Sequence, residues 1–222
     1  NSDQEGSHVR LSHVGFGLVM GDDGKRFRTR SGDTVPLKSL LLEAQSRCLE
    51  SLRDRDSGLS SDELEEAARI MGIGAVKYAD LQNNRLTNYT FSYNRMLDLK
   101  GNTAVYLLYT HARISSILDR AGDKRYETFP ADDLVLLDEK ERLLALAILK
   151  FPDAIESTVQ DLLPSRLCDY TYQLCVSFNE FYGTCKVVGT DQETSRLILC
   201  HATALCLRQS FHILGIEPLY RL

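Results

Sequence analysis

The stretch KGNTAVYLLYTHARISSILDRAG, residues 100–122, decides the fold. Ala104, Leu107, Leu108, Ile114, Ile117 and Leu118 recur at helical spacing, and Val105 and Ala112 widen the apolar arc beyond one stripe. A helix this apolar needs helices on more than one side, so the rest of the chain is expected to pack around it. Asn102 or Thr103 can accept the free backbone N–H groups at its start, and Gly122 can take the left-handed conformation that ends it. Its polar residues are Tyr106, Tyr109, His111 and Arg113, planar or cationic groups able to stack on or hydrogen-bond to unpaired nucleobases. The same residue types also serve as core-edge tyrosines and a satisfied buried histidine, and this helix alone leaves both readings open.

Outward toward the C-terminus the pattern stays helical. Asp138 and Glu141 form a capping-box signature for a helix through Leu137, Leu144, Ala147, Ile148 and Phe151 that Pro152 is expected to stop. A shorter helix follows through Ile155, Val159 and Leu162. Beyond Pro164, the stripe Leu167, Tyr170, Thr171, Leu174, Phe178, Phe181 and Cys185 predicts about five turns of helix. Core packing is the expected role of Phe181, and for Tyr170, Tyr172 and Tyr182 it stands as the alternative to a role at the surface. A final helix runs through Leu197, Cys200, Ala204, Leu207, Phe211 and Leu214 and closes at Gly215 and Pro218. From Asn102 onward the chain reads as helices and loops only, which suits a helical bundle.

Toward the N-terminus the reading changes. Val9 to Gly21 is β-like and glycine-spotted, and Asp22-Asp23-Gly24 then reverses the chain. The turn delivers KRFRTRSG, in which Lys25, Arg26, Arg28 and Arg30 place four cations within six residues. Bracketed by Gly24 and Gly32, such a loop can neutralise charge building on a polyphosphate leaving group, although charge runs are commonly solvated surface. A helix from Pro36 to about Asp54 follows, carried by Leu37, Leu40, Leu41, Ala44, Cys48 and Leu52. Ser60 and Glu63 form a second capping box, opening a helix that continues through GIGAVKYADL. Gly72 and Gly74 within it point to close approach of another backbone. Asn83-Asn84 ends it, and Tyr89, Phe91 and Tyr93 alternate as a short extended crossing into residues 100–122.

Composition narrows the function classes. The 222 residues, 43% hydrophobic, can bury a proper core in one large or two small domains. With 26 basic and 31 acidic residues the net charge is −5, so nucleic-acid binding has to come from local patches. No apolar run reaches the roughly 18 residues of a membrane span. The polar leader NSDQEGSH has no signal-peptide core and reads either as an added leader or as a boundary cut within a longer chain. The six cysteines lie mostly among apolar helical residues without a CxxC pair, as expected of buried free thiols in a reducing compartment.

Five blocks in order, GFGLVMGDDGKRFRTRSGDTV, GAVKYADLQNNRL, LKGNTAVYLLYTHARI, LCDYTYQLCVSFNEFYGTC and RLILCHATALCLRQSFHILGIEPLYRL, resemble the C-terminal half of eukaryotic-type arginyl-tRNA synthetases, a class I family. The resemblance implies a mostly α protein: an all-α anticodon-binding helical bundle (residues 99–222) preceded by a small α/β remnant of a Rossmann-type catalytic domain (1–34). A connecting helical, stem-contacting region (35–98) joins them. It also implies that residues 27–32 stand where the family has its KMSKS loop. Lys25, Arg28 and Arg30 are then the catalytic candidates that support pyrophosphate as the arginine carboxylate attacks ATP, and Gly17, Met20 and Phe27 lie beside the nucleotide.

On the bundle, the resemblance implies anticodon contacts from Tyr106, Tyr109, Arg113, Tyr220 and Leu222, the last standing where relatives often finish on methionine. No HIGH-type motif, glycine-rich fingerprint or first βαβ half is found, so most of the ATP and arginine pocket is expected outside this chain. The implied activity is arginine–tRNA ligation, to which this portion supplies the KMSKS-like loop and anticodon recognition. The alternative is a freestanding tRNA-binding or scaffold module without catalysis. The implied partners are tRNA(Arg), arginine and ATP, with Mg2+ as a candidate companion of ATP and a multi-synthetase assembly as a candidate complex. No metal site of its own and no membrane are expected, and the implied location is the cytoplasm.

Overall fold

The computed structural model describes residues 12–21, 24–25, 36–54, 58–122, 130 and 134–222. Among them two short strands, β1 (Val19–Met20) and β2 (Tyr89–Thr90), pair in parallel with Val19 opposite Tyr89. The helices are α1 (Leu37–Arg53), α2 (Ser61–Leu81), α3 (Tyr93–Met96), α4 (Ala104–Ala121), α5 (Glu139–Leu149), α6 (Phe151–Asp161), α7 (Pro164–Thr184) and α8 (Glu193–Leu214). The protein is thus mostly helical, a bundle following a small α/β piece.

Local sequence sets most of these limits. Ser60 Oγ accepts from the Glu63 N–H and the Glu63 carboxylate accepts from the Ser60 N–H, so α2 opens with the expected capping box. Asp138 and Glu141 do the same for α5. Thr103 Oγ1 accepts from the Tyr106 N–H to start α4, and Gly122 at φ 65° ends it.

α4 lies among α2, α7 and α8. Leu107, Leu108 and Ile114 on it are fully buried, with Phe178 and Phe181 of α7 and Phe211 of α8. Neighbours on three sides explain why its apolar arc is wider than one stripe. At its start the buried Tyr78 hydroxyl of α2 lies 2.5 Å from Asn102 Oδ1 and 2.9 Å from the Cys168 carbonyl of α7, joining three helices at one atom. α1 packs along α2, and Gly72 is the reason they approach so closely: a Cβ there would stand 2.6 Å from the Gln45 backbone nitrogen.

Several expectations need correction. Of the β-like stretch, Val9 and Leu11 lie outside the described residues, and within 12–21 only Val19–Met20 is strand. The aromatic alternation is extended only at Tyr89–Thr90; Tyr93 already begins the one-turn α3. Pro152 does not stop α5. That helix ends at Lys150, and Pro152 sits in the first turn of α6, where its missing N–H leaves no bond unmade. Leu137 and Val159, placed on buried faces by periodicity, are 64% and 65% exposed, and α6 buries no residue fully. Helix α8 is long and apolar enough to cross a membrane by length and composition, which the sequence reading did not find. Leu197, Cys200, Ala204, Leu207 and Phe211 bury its stripe in the bundle, as in a core helix.

All six cysteines are free, and five are buried. Burial pushes the Cys48 thiol up to about 11 and the Cys200 thiol to about 12, so both stay protonated and unreactive at neutral pH.

Candidate nucleic-acid interface

Helical geometry puts Tyr106, Tyr109 and Arg113, at i, i+3 and i+7, on one face of α4. Tyr106 and Tyr109 are half-buried against the core edge, and Arg113 is exposed. Tyr109 therefore stands neither in the interior nor free of it.

The opposing surface comes from α7. Asn179 Nδ2 donates to the Tyr106 hydroxyl at 2.8 Å, to Thr110 Oγ1 at 3.2 Å and to the Cys175 carbonyl at 3.0 Å. Its Oδ1 accepts from Arg113 Nη1 at 2.6 Å. Tyr182, one turn further along α7, places its ring centroid 5.8 Å from the Arg113 guanidinium carbon. That ring is backed by Phe178 in a nearly parallel stack, centroids 6.0 Å apart, which keeps it flat against the bundle with part of its surface in solvent. Tyr106 is flanked by Tyr172, ring centroids 5.6 Å apart. The result is a ridge of planar groups with one guanidinium held over it, suited to unstacked bases and phosphate oxygens.

Sequence reasoning missed Asn179 and left Tyr182 between packing and a surface role. Phe181, the one residue assigned to packing, is fully buried. The available signal was a polar residue, Asn179, beside Phe178 in the most regular apolar stripe of the chain.

The C-terminal segment reaches α4 elsewhere. Tyr220 is 53% exposed and meets the buried His111 ring edge-on, centroids 5.2 Å apart. His111 lies two residues before Arg113, roughly 160° around the helix from it. The structure thus joins Tyr106 and Arg113 in one network and leaves Tyr220 at a second position; Leu222 is half-buried against the core. The segment is anchored along α2: Lys77 Nζ donates to the Gly215 carbonyl, Arg69 spans both Glu217 oxygens, and Ile216 packs where Gly74 leaves room.

Beside the C-terminal half of α2 an apolar cleft of about 860 Å3 is lined by Phe16, Gly17, Val19, Leu40, Val76 and Tyr89. Gly17 is required by a chain crossing, since a Cβ would stand 2.1 Å from the Thr87 carbonyl oxygen. Its N–H is taken by the Arg85 carbonyl, and the Met20 carbonyl accepts from the Phe91 N–H. Any backbone contact from this strand to a purine therefore falls to the edge of β1 facing away from β2. Lys25 is exposed in a turn closed by a bond from the Gly21 N–H to its carbonyl. Phe27, Arg28 and Arg30 lie outside the described residues. Among the described residues no group of three or more His, Cys, Asp or Glu side chains could hold a metal ion.

Comparison with known proteins bears on both ends of the chain. Residues 107–222 match the DALR anticodon binding domain, and residues 3–93 match the catalytic domain of class I (R) tRNA synthetases. Among curated proteins, the chain is 51% identical over 222 residues to the chloroplastic/mitochondrial arginine–tRNA ligase of Arabidopsis thaliana, covering 99% of this chain and 35% of the relative. It is 49% identical to the cytoplasmic arginine–tRNA ligase of the same plant, covering 99% and 38%. Among solved structures, the arginyl-tRNA synthetase of Plasmodium falciparum superposes with a TM-score of 0.81 at 34% identity, over 95% of this chain and 35% of that one. The chain therefore spans little more than a third of the length of these relatives.

Proposed function

Because this chain belongs to the DALR anticodon binding domain family and carries part of a class I (R) synthetase catalytic domain on its N-terminal side, we propose that it works as the C-terminal part of an arginine–tRNA ligase. In that reading the bundle receives the anticodon loop of tRNA(Arg) on α4 and α7. Tyr109 and Tyr182 offer ring faces to unpaired bases, and Arg113 offers N–H donors to base edges or phosphates. Tyr220 and Leu222 would meet the loop from the second position. The observation that carries the reading is the Tyr106–Asn179–Arg113 network, a built polar cluster at the surface of a domain whose family is named for anticodon binding.

The N-terminal piece would serve the nucleotide half of the reaction. Arginine and ATP are the proposed substrates: the arginine carboxylate would attack the ATP α-phosphate with pyrophosphate leaving, and the arginyl group would then pass to the tRNA with AMP leaving. Lys25, Arg28 and Arg30 would balance the charge that gathers on the departing pyrophosphate. Mg2+ would arrive bound to the ATP phosphates. The open edge of β1 and the apolar cleft beside it would be covered by the remainder of the catalytic domain, since a parallel sheet needs both faces covered. The six free thiols fit a reducing compartment, and we propose the cytoplasm, the location named for one relative, where another is chloroplastic/mitochondrial. Membership of a multi-synthetase assembly would show as co-sedimentation with other synthetases.

Two assays test this. Gel-shift competition with the 222-residue chain should favour tRNA(Arg) over the same tRNA with an altered anticodon; equal competition would instead indicate an indiscriminate helical module. ATP–pyrophosphate exchange by the chain alone should be absent, and measurable exchange would refute the need for a catalytic half outside it.

A further inference from the structure

We propose that Asn179 is the positioning residue of this interface, setting both the Arg113 guanidinium and the Tyr106 phenol for base recognition. The proposal rests on the anticodon-binding reading above. The orientation of the amide follows from chemistry alone. A guanidinium only donates, so the atom 2.6 Å from Arg113 Nη1 is the oxygen; the Cys175 carbonyl only accepts, so the atom 3.0 Å from it is the nitrogen. With the amide fixed this way, its N–H group donates to the Tyr106 hydroxyl, which leaves the phenol's own O–H to donate.

The arrangement ties three positions on two helices to one side chain. Arg113 is exposed, and without the Asn179 oxygen its long side chain would sample many rotamers; the bond and the Tyr182 ring together restrict it to one. Donors from Arg113 and Tyr106 then converge on one side of the α4–α7 seam, which selects a partner bearing acceptors, namely the carbonyl or ring-nitrogen edge of an unpaired nucleobase. No other residue type supplies an acceptor to Arg113 and donors to Tyr106 and Cys175 from one short side chain. Aspartate keeps the first and loses the second.

The test is a double-mutant cycle read by tRNA discrimination, the ratio of affinities for tRNA(Arg) and an anticodon-altered tRNA, on the 222-residue chain. Asn179→Ala should lower the ratio roughly five- to tenfold while circular dichroism stays helical. Arg113→Ala should do the same, and the double variant should lose less than the product of the two single losses, the part beyond Arg113→Ala being the share that runs through Tyr106. Asn179→Asp, which keeps the acceptor, should recover part of the loss, and it keeps the cycle readable should Asn179→Ala not fold. Unchanged discrimination in folded Asn179→Ala, or losses that multiply in the double variant, would overturn the proposal. An unaltered chain that does not discriminate would overturn the anticodon reading itself, and this role with it.

Discussion

His111 Nδ1 lies 2.7 Å from the Leu219 carbonyl oxygen, so the imidazole donates there and ties the C-terminal segment to the middle of α4. The other ring nitrogen, Nε2, is buried and has no hydrogen-bond partner among the described residues. Phe211 and Tyr220 meet the ring edge-on, and Arg208 of α8 brings a positive charge near it. Burial first, and Arg208 second, hold the histidine below its ordinary range, against the opposing pull of the Leu219 bond.

A depressed histidine means that the folded protein binds fewer protons than the unfolded chain. The stability it contributes is present above about pH 6.5, where free histidine is neutral, and is lost as pH falls. Calorimetric melting should therefore show a lower melting temperature at pH 5.5 than at pH 8, with the difference reduced in His111→Asn. An equal pH dependence in the variant would assign the effect to another histidine.

Glu141 acts in the same direction in a more acidic window. It is fully buried, accepts from the Leu137 and Asp138 N–H groups at 2.7 and 2.9 Å, and pairs with Arg196 Nε at 2.7 Å. Burial pushes its carboxyl up, but the backbone donors and Arg196 outweigh that and hold it below the ordinary range. Its contribution is present above about pH 4.3 and lost on acidification. Glu141→Ala strands a largely buried guanidinium and uncaps α5, so urea denaturation should show a loss of about 3 kcal/mol.

Gly72→Ala sets two effects against each other. Alanine favours a helix interior by up to about 1 kcal/mol over glycine. The new Cβ would meet the Gln45 backbone at 2.6 and 2.8 Å, and neither helix can yield there without losing the packing of Ala44, Cys48 and Leu52. Overpacking of this kind costs about 1 to 3 kcal/mol, so the net result should be destabilisation, seen as a lower urea midpoint. A midpoint at or above that of the unaltered chain would mean that α1 and α2 separate easily.

Tyr109→Ala should weaken tRNA binding by about 1 to 3 kcal/mol through lost base stacking. The residue is only half-buried, so the variant should keep its helical circular dichroism. Filter binding that shows unchanged affinity in a folded variant would remove Tyr109 from the interface.

What the sequence by itself determined was set by neighbours along the chain. Capping boxes at Ser60 and Asp138, the Thr103 cap, the left-handed glycines 122 and 215, and the apolar spacing of α4, α7 and α8 all act within a few residues, so they are readable from spacing alone. The close approach at Gly72 was legible too, because a glycine inside a good helix has few other reasons to be there. Tertiary structure decided what depends on partners distant in the chain. Asn179 matters because residues 66 and 73 positions away bring their polar atoms to it, and no local pattern encodes that meeting. Likewise, Val159 keeps helical spacing yet faces solvent, because periodicity defines a face of a helix and only packing decides whether another element covers it; Leu137 lies before the Asp138 cap, outside α5.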